Sequence, residues 1–195
     1  MKSKTNIISV LLLLLLMASA RAQQVSSASE ELPNILWLTS EDNSPLLGCY
    51  GDEMATTPSL DKLAGEGFLY THAYANAPVC APSRNTIITG VYACSAGNDG
   101  MRSYYPKSDV VRLLPEYLRS KGYYCTNNSK QDYNIADVRK DLWNESSETA
   151  HYKNRKPGQP FFAVFNTLIS HESCLHKPDP SQPKHDPDKV KLPPY

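Results

Sequence analysis

Asn34-Ile35-Leu36-Trp37-Leu38-Thr39, followed at once by Ser40-Glu41-Asp42-Asn43, is the stretch that decides the fold. The apolar run is short, rich in strand formers and ends abruptly, which predicts a buried strand of an α/β sheet. In open α/β sheets ligands gather beyond the carboxyl ends of the strands, so Glu41 and Asp42 stand where a site is expected. Phe161 to Leu168 is a second run of the same kind, again followed by polar residues: Ser170, His171 and Glu172.

The sequence between these runs alternates in character. Thr57 is a candidate cap and Pro58 a candidate first helical residue, with Gly65 and Gly67 ending that helix. Phe68 to Ala75 alternates and predicts a strand. Pro78 and Pro82 flank a turn, and Ser83 to Thr89 predicts a short helix closed by Gly90. Leu113 to Lys121 predicts another helix closed by Gly122, and Tyr123 to Asn127 another strand. Residues 137–158 are polar and unassigned, and the Pro-, Lys- and Asp-rich tail from Lys177 reads as a surface loop. Strands alternating with helices indicate an α/β sheet, without an internal repeat.

Lys2 and Lys4 precede the apolar run Ile7 to Met17, and Ala18-Ser19-Ala20 and Ala20-Arg21-Ala22 follow it. This predicts a signal peptide over residues 1–22, cleaved after Ala22. The run is short beside the roughly 20 residues of a membrane span. The mature protein is therefore expected outside the cytosol, periplasmic or secreted, with no membrane attachment once the signal is removed. Residues 23–32 are polar and predicted disordered, and 33–195 form the folded part. Lys plus Arg and Asp plus Glu are 20 each, so no net field argues for nucleic acid. An anionic substrate would need a few local cations.

The five cysteines are Cys49, Cys80, Cys94, Cys125 and Cys174. Export permits disulfides, and an odd number leaves at least one cysteine without a partner in its own chain. No CxxC pair suggests structural zinc. Cys80 lies in Pro78-Val79-Cys80-Ala81-Pro82-Ser83-Arg84, a thiol at a turn into a helix. The N–H groups of a helix N-terminus favour an anion, and Arg84 follows one turn later on the same face. On spacing alone the structural reading of Cys80 is favoured, as half of a disulfide or as a small buried apolar group.

The segment from Cys80 through Thr89-Gly90 resembles the signature of the formylglycine-dependent sulfatases, of the alkaline-phosphatase-like superfamily. Other motifs match in the same order: Pro33-Asn34-Ile35 with the acidic pair, Thr57-Pro58-x-Leu60-Asp61-x-Leu63-Ala64, Gly122-Tyr123, Lys130, and Pro160-Phe161-Phe162 leading to His171. Among these enzymes the chain is most similar to bacterial sulfatases resembling heparan N-sulfatase (sulfamidase). The resemblance implies the N-terminal part of a sandwich with a central mixed, largely parallel sheet flanked by helices. It implies oxidation of Cys80 to formylglycine by a formylglycine-generating enzyme, and a sulfated saccharide as substrate. It further implies that Arg84, Lys130 and His171 act on the sulfate. Glu41, Asp42 and the modified Cys80 would then bind Ca2+, with Asp42 the better match of the two acids.

Two positions depart from the family pattern. Glu41 stands where an aspartate is usual, and Asp132 where a histidine often follows the lysine. After His171 the sequence shows no counterpart of the family's second pair of metal ligands or its second lysine. On this reading the 195-residue chain is an incomplete catalytic domain, expected to be unstable or inactive alone. Two other functions compete. One is a phosphonate or phosphate diester hydrolase of the same superfamily. The other is a non-catalytic exported binding protein with Cys80 bridged, for example to Cys49 or Cys94.

Overall fold

The computed structural model describes residues 31–176 and 187–189. The signal peptide, most of the 23–32 linker and most of the tail from Lys177 lie outside the described residues. Met1–Pro33 and Asn34–Tyr195 are separate units, and everything below belongs to the second.

Strand β1 (Ile35–Ser40) is the predicted first strand, but it is buried on one face rather than two. Ile35, Trp37 and Thr39 turn inward, while Leu36 and Leu38 remain 49% and 63% exposed because β1 lies at the sheet edge. The connection from β1 carries helices α1 (Pro58–Glu66), α2 (Cys80–Thr89), α3 (Ala93–Ala96) and α4 (Leu114–Ser120), with the short strand β2 (Tyr105–Pro106) before α4. Strands β3 (Tyr124–Asn128), β4 (Ile135–Ala136), β5 (Glu145–Ser146) and β6 (Phe161–Thr167) follow. The main sheet has the order β1-β6-β3-β5, and β2 pairs with β4 in a small second sheet. Every described pairing is parallel.

Register is what assembles the site. Ser40 lies opposite Thr167, and Asn128 opposite Phe165, so the carboxyl ends of β1, β6 and β3 emerge along one edge. The residues that follow each strand, Glu41, His171 and Lys130, are thereby brought together from separations of up to 130 positions.

Phe162 is fully buried in the core, its ring edge-on to Trp37 at 4.9 Å and stacked on Trp143 at 5.6 Å. Ile88 from α2, Cys125 from β3, and Tyr133 and Ile135 close around it. Offset and edge-on ring pairs of this kind add to the burial energy. Gly122 sits at φ 89°, a left-handed conformation suited to glycine, and turns the chain from α4 into β3.

Four expectations change. Phe68 to Ala75 is not a strand: Phe68, Tyr70 and Tyr74 are 95%, 73% and 85% exposed, and the alternation finds no neighbouring strand among the described residues. Thr57 does not cap α1 with its side chain, because its hydroxyl donates to Asp61 Oδ1 at 2.9 Å and accepts from the Gly48 N–H. Helix α1 continues through Gly65 and stops at Gly67. The unassigned 137–158 stretch holds β5 and a 3-10 turn at Tyr152–Asn154. No helix among the described residues is long and apolar enough to cross a membrane.

The hydroxyl of Tyr124 on β3 donates to Glu145 on β5. Burial, reinforced by that carboxylate, pushes the Tyr124 phenol from its ordinary 10.0 up to about 12. The folded state thus keeps a proton that the unfolded chain releases first, so this contribution is whole below pH 10.0 and is lost as pH rises toward 12. Urea unfolding of the wild type and Tyr124→Phe at stepped alkaline pH reads the difference. The gap between them should shrink over that window, and a constant gap would count against the contact.

Candidate active site

Helix α2 starts at Cys80, three residues before the predicted start. Pro82 does not prevent this, since a first-turn residue needs no hydrogen-bonded N–H. Ala81, Pro82, Asn85 and Ile88 form its buried face at helical spacing, and Asn85 Nδ2 donates to the Tyr133 carbonyl at 2.9 Å. Gly90, at φ 70°, closes the helix as expected. Val79 makes no side-chain cap hydrogen bond, so no side chain of its own occupies the helix start at half-buried Cys80.

Glu41 is the centre of the cluster, 8% exposed and just past β1. Arg84 Nη1 meets its Oε1 at 3.2 Å, and Lys130 Nζ meets its Oε2 at 2.6 Å. Arg84 also donates from Nε to the Gln131 carbonyl at 2.8 Å, from Nη1 to Asn166 Oδ1 at 3.1 Å, and from Nη2 to the Lys130 carbonyl. A buried charge pair is sustained only when its remaining hydrogen-bonding capacity is met, and here the fork of Arg84 is filled.

Cys80 joins this cluster through Asp132, whose Oδ2 accepts from the thiol at 3.7 Å. The same oxygen lies 3.5 Å from Lys130 Nζ. His171 stands on the other side. Its Nδ1 accepts from the Ser173 N–H at 3.3 Å, which leaves Nε2 to carry the proton of the neutral ring. Nε2 faces Glu41 Oε2 at 3.8 Å and Asp42 Oδ2 at 4.0 Å.

All six predicted side chains are therefore gathered at one sheet edge. Ligand atoms of Glu41, Cys80 and His171 lie within 4.8 Å of one another, and Asp42 is not among them. Asp42, at φ 55°, instead accepts the Glu172 N–H at 2.8 Å. Carboxylates from Glu41 and Asp42 and an oxygen at position 80 suit a hard cation, yet they make only part of the six to eight oxygens calcium takes. The described residues thus fit one side of a calcium shell.

None of the five cysteines is paired. The bridge from Cys80 to Cys49 or Cys94 that the binding-protein reading requires is not formed. Cys125 is fully buried, and burial pushes its thiol up to about 12. Iodoacetamide at neutral pH should modify exposed Cys94 first and leave Cys125 intact until urea is added, because the thiolate is the reactive form. Peptide mapping showing early labelling of Cys125 would contradict this packing.

Asn166 escaped the sequence reading. Its Oδ1 accepts from Thr39 Oγ1 at 2.7 Å as well as from Arg84, and its Nδ2 donates to Asn127 Oδ1 at 3.2 Å and the Asn128 carbonyl at 3.1 Å. One amide thus ties β1, β6 and β3 to the arginine. The available signal was an amide within an apolar strand run, which must find partners when buried. Arg102, whose guanidinium reaches Asp132 at 3.9 Å, had no local signal.

The family model described as Sulfatase matches residues 33–147. An ulvan-active sulfatase of Formosa agariphila is 47% identical over 162 residues, covering 76% of this chain and 27% of that protein. Iduronate 2-sulfatase of Mus musculus is 37% identical over 103 residues, covering 52% of this chain and 18% of its own. The chain thus spans about a quarter or less of the length of these relatives. The solved structure of BT4656 in complex with its substrate D-glucosamine-2-N,6-O-disulfate matches with a TM-score of 0.60 at 20% identity, covering 72% of this chain and 35% of that one. This last likeness is one of fold. With the family model taking in more than half of its residues, the chain belongs to the sulfatase family.

Proposed function

We propose that this chain contributes the nucleophile and the sulfate-binding corner of a hydrolase that removes sulfate from a sulfated saccharide. One observation supports it above the rest: the Cys80 thiol stands at an uncapped helix start, within 4.8 Å of ligand atoms of Glu41 and His171. The names of the relatives support the substrate class, and the leader sequence of residues 1–22 supports an exported, periplasmic or secreted protein.

Formylglycine made from Cys80 by a formylglycine-generating enzyme would supply, as its hydrate, an oxygen nucleophile for sulfur and a second hydroxyl whose deprotonation releases sulfate. A calcium ion held by Glu41, Asp42 and the oxygen at position 80 would offset the repulsion between that nucleophile and the sulfate. The chain's own groups do the rest. Arg84 holds Glu41 and the turn carrying Lys130 in place. Lys130 brings a cation to the sulfate oxygens. His171 holds a proton at Nε2, on the side facing the cluster, where it can pass to the departing oxygen or nitrogen. Asp132 accepts a hydrogen bond from the side chain at position 80.

Co-expression with a formylglycine-generating enzyme, followed by peptide mass mapping and assays with an aryl sulfate and an aryl phosphodiester, tests the reading. An aldehyde at residue 80 and faster turnover of the sulfate are expected. A persistent thiol despite the modifying enzyme would overturn it. Faster turnover of the phosphodiester would favour the diester-hydrolase alternative.

A further inference from the structure

The loop between α3 and β2 ends at the active cluster, and a buried amide holds it there. Asn134 is 1% exposed, and its Nδ2 donates to the Asn98 and Gly100 carbonyls at 2.8 Å each and to Ser103 Oγ at 3.2 Å. An amide that gives its hydrogens to three points of one loop fixes the path of that loop. From it Arg102, at φ 54°, sends Nη2 to within 3.9 Å of Asp132 Oδ2. That is the oxygen that meets Cys80 Sγ at 3.7 Å and Lys130 Nζ at 3.5 Å. The guanidinium is therefore two contacts from the sulfur, through one shared carboxylate oxygen.

Arg102 differs from the other cations of the cluster. The side chains of Arg84 and Lys130 are 11% and 16% exposed and are committed to Glu41. That of Arg102 is 56% exposed, and its ion pair is long and directed at an oxygen already shared with Lys130. A guanidinium placed this way has donors left for an incoming group and can grip a carboxylate or sulfate through two parallel hydrogen bonds.

We infer that Arg102 is a specificity-determining residue that binds a second anionic group of the substrate, so that the substrate class is a polyanionic saccharide. The group is a carboxylate or a further sulfate on the same or the adjoining ring. Asn134 is its positioning residue. The inference rests on the reading of the Cys80 cluster as a sulfate site.

The test is calorimetric titration of the full chain with inorganic sulfate and three disaccharides. One is monosulfated and otherwise neutral, one monosulfated with a uronate, and one disulfated. The doubly charged disaccharides should bind more tightly than the neutral-backbone one, and Arg102→Ala should reduce that advantage about tenfold. Arg102→Lys, which keeps the charge without the fork, should restore part of it. Arg139→Ala, at an exposed arginine paired with Asp141, should keep it whole. The uronate and disulfate arms show which second group is read. An advantage absent in the unsubstituted chain, or unchanged in Arg102→Ala, overturns the inference while sulfate binding still supports the site. Failure of inorganic sulfate to bind the unsubstituted chain overturns both.

Discussion

Arg84→Ala is expected to lower the unfolding free energy by about 3–5 kcal/mol, the cost of leaving a buried charge without its partner. What the truncation leaves unpaired sets this cost, more than the strength of one ion pair. The Arg84 and Glu41 side chains are 11% and 7% exposed, so water cannot readily replace the guanidinium. Its loss strands Glu41 Oε1 and the Gln131 carbonyl, while Asn166 Oδ1 keeps Thr39 and the Lys130 carbonyl keeps the amides of Asn127 and Asn166. Lys130 still faces Glu41 Oε2, which limits the damage to one side of the carboxylate. Arg84→Lys keeps the charge but cannot span four acceptors, so it should recover only part of the loss. Urea titration reads this as a lower midpoint at an unchanged slope. A loss below about 1 kcal/mol, the range of exposed pairs, would show that the cluster is open to water and not the buried network described. Sulfate affinity should fall with stability, since the same side chain holds the turn bearing Lys130.

What could be read from the sequence follows from how local each signal is. The strands at Ile35 and Phe161 announce themselves through their own composition, and Gly90 and Gly122 mark ends through their own backbone preference. Phe68 to Ala75 has strand-like alternation as well, yet a strand exists only where another strand accepts its hydrogen bonds, and none does among the described residues. Cys80, Arg84, Lys130 and His171 were found through ordered motifs. Their proximity depends on β6 inserting between β1 and β3, which no short window of sequence encodes. The different hydrogen-bond partners of Glu41 and Asp42 are likewise not encoded locally. Glu41 is the acid both cations reach, because its longer side chain turns into the sheet edge while Asp42 turns to the Glu172 backbone. Asn166 and Asn134 were invisible as functional residues, since an amide's importance lies in partners drawn from three or four distant segments.

On the proposed function, Cys80→Ser is expected to abolish the steady-state turnover of the formylglycine-bearing protein, by about three orders of magnitude or more, while leaving the fold intact. Oxygen replaces sulfur at the first residue of α2, a change of little volume in a half-buried position, so stability should shift by well under the effect at Arg84. The chemical consequence is specific. On the proposed function, a serine oxygen can attack the sulfuryl sulfur, its own proton passing to Asp132 and the proton proposed on His171 Nε2 passing to the leaving group as the S–O or S–N bond to the sugar breaks. The enzyme is then left as a serine sulfate ester. Release would need a second hydroxyl on the same carbon, which loses its proton as the C–O bond to sulfate breaks; serine has only hydrogens there. The expected result is a burst of desulfated sugar no larger than one equivalent, with intact-protein mass raised by one sulfuryl group at residue 80. Cys80→Ala, lacking any nucleophile, should give neither burst nor mass change, which separates ester formation from contaminating activity. Sustained turnover by Cys80→Ser would mean that the leaving sulfate never becomes attached to residue 80. The attacking group would then have to be water, with Glu41 or Asp132 as the groups placed to receive its proton, and the cysteine would return to the structural role that spacing alone allowed.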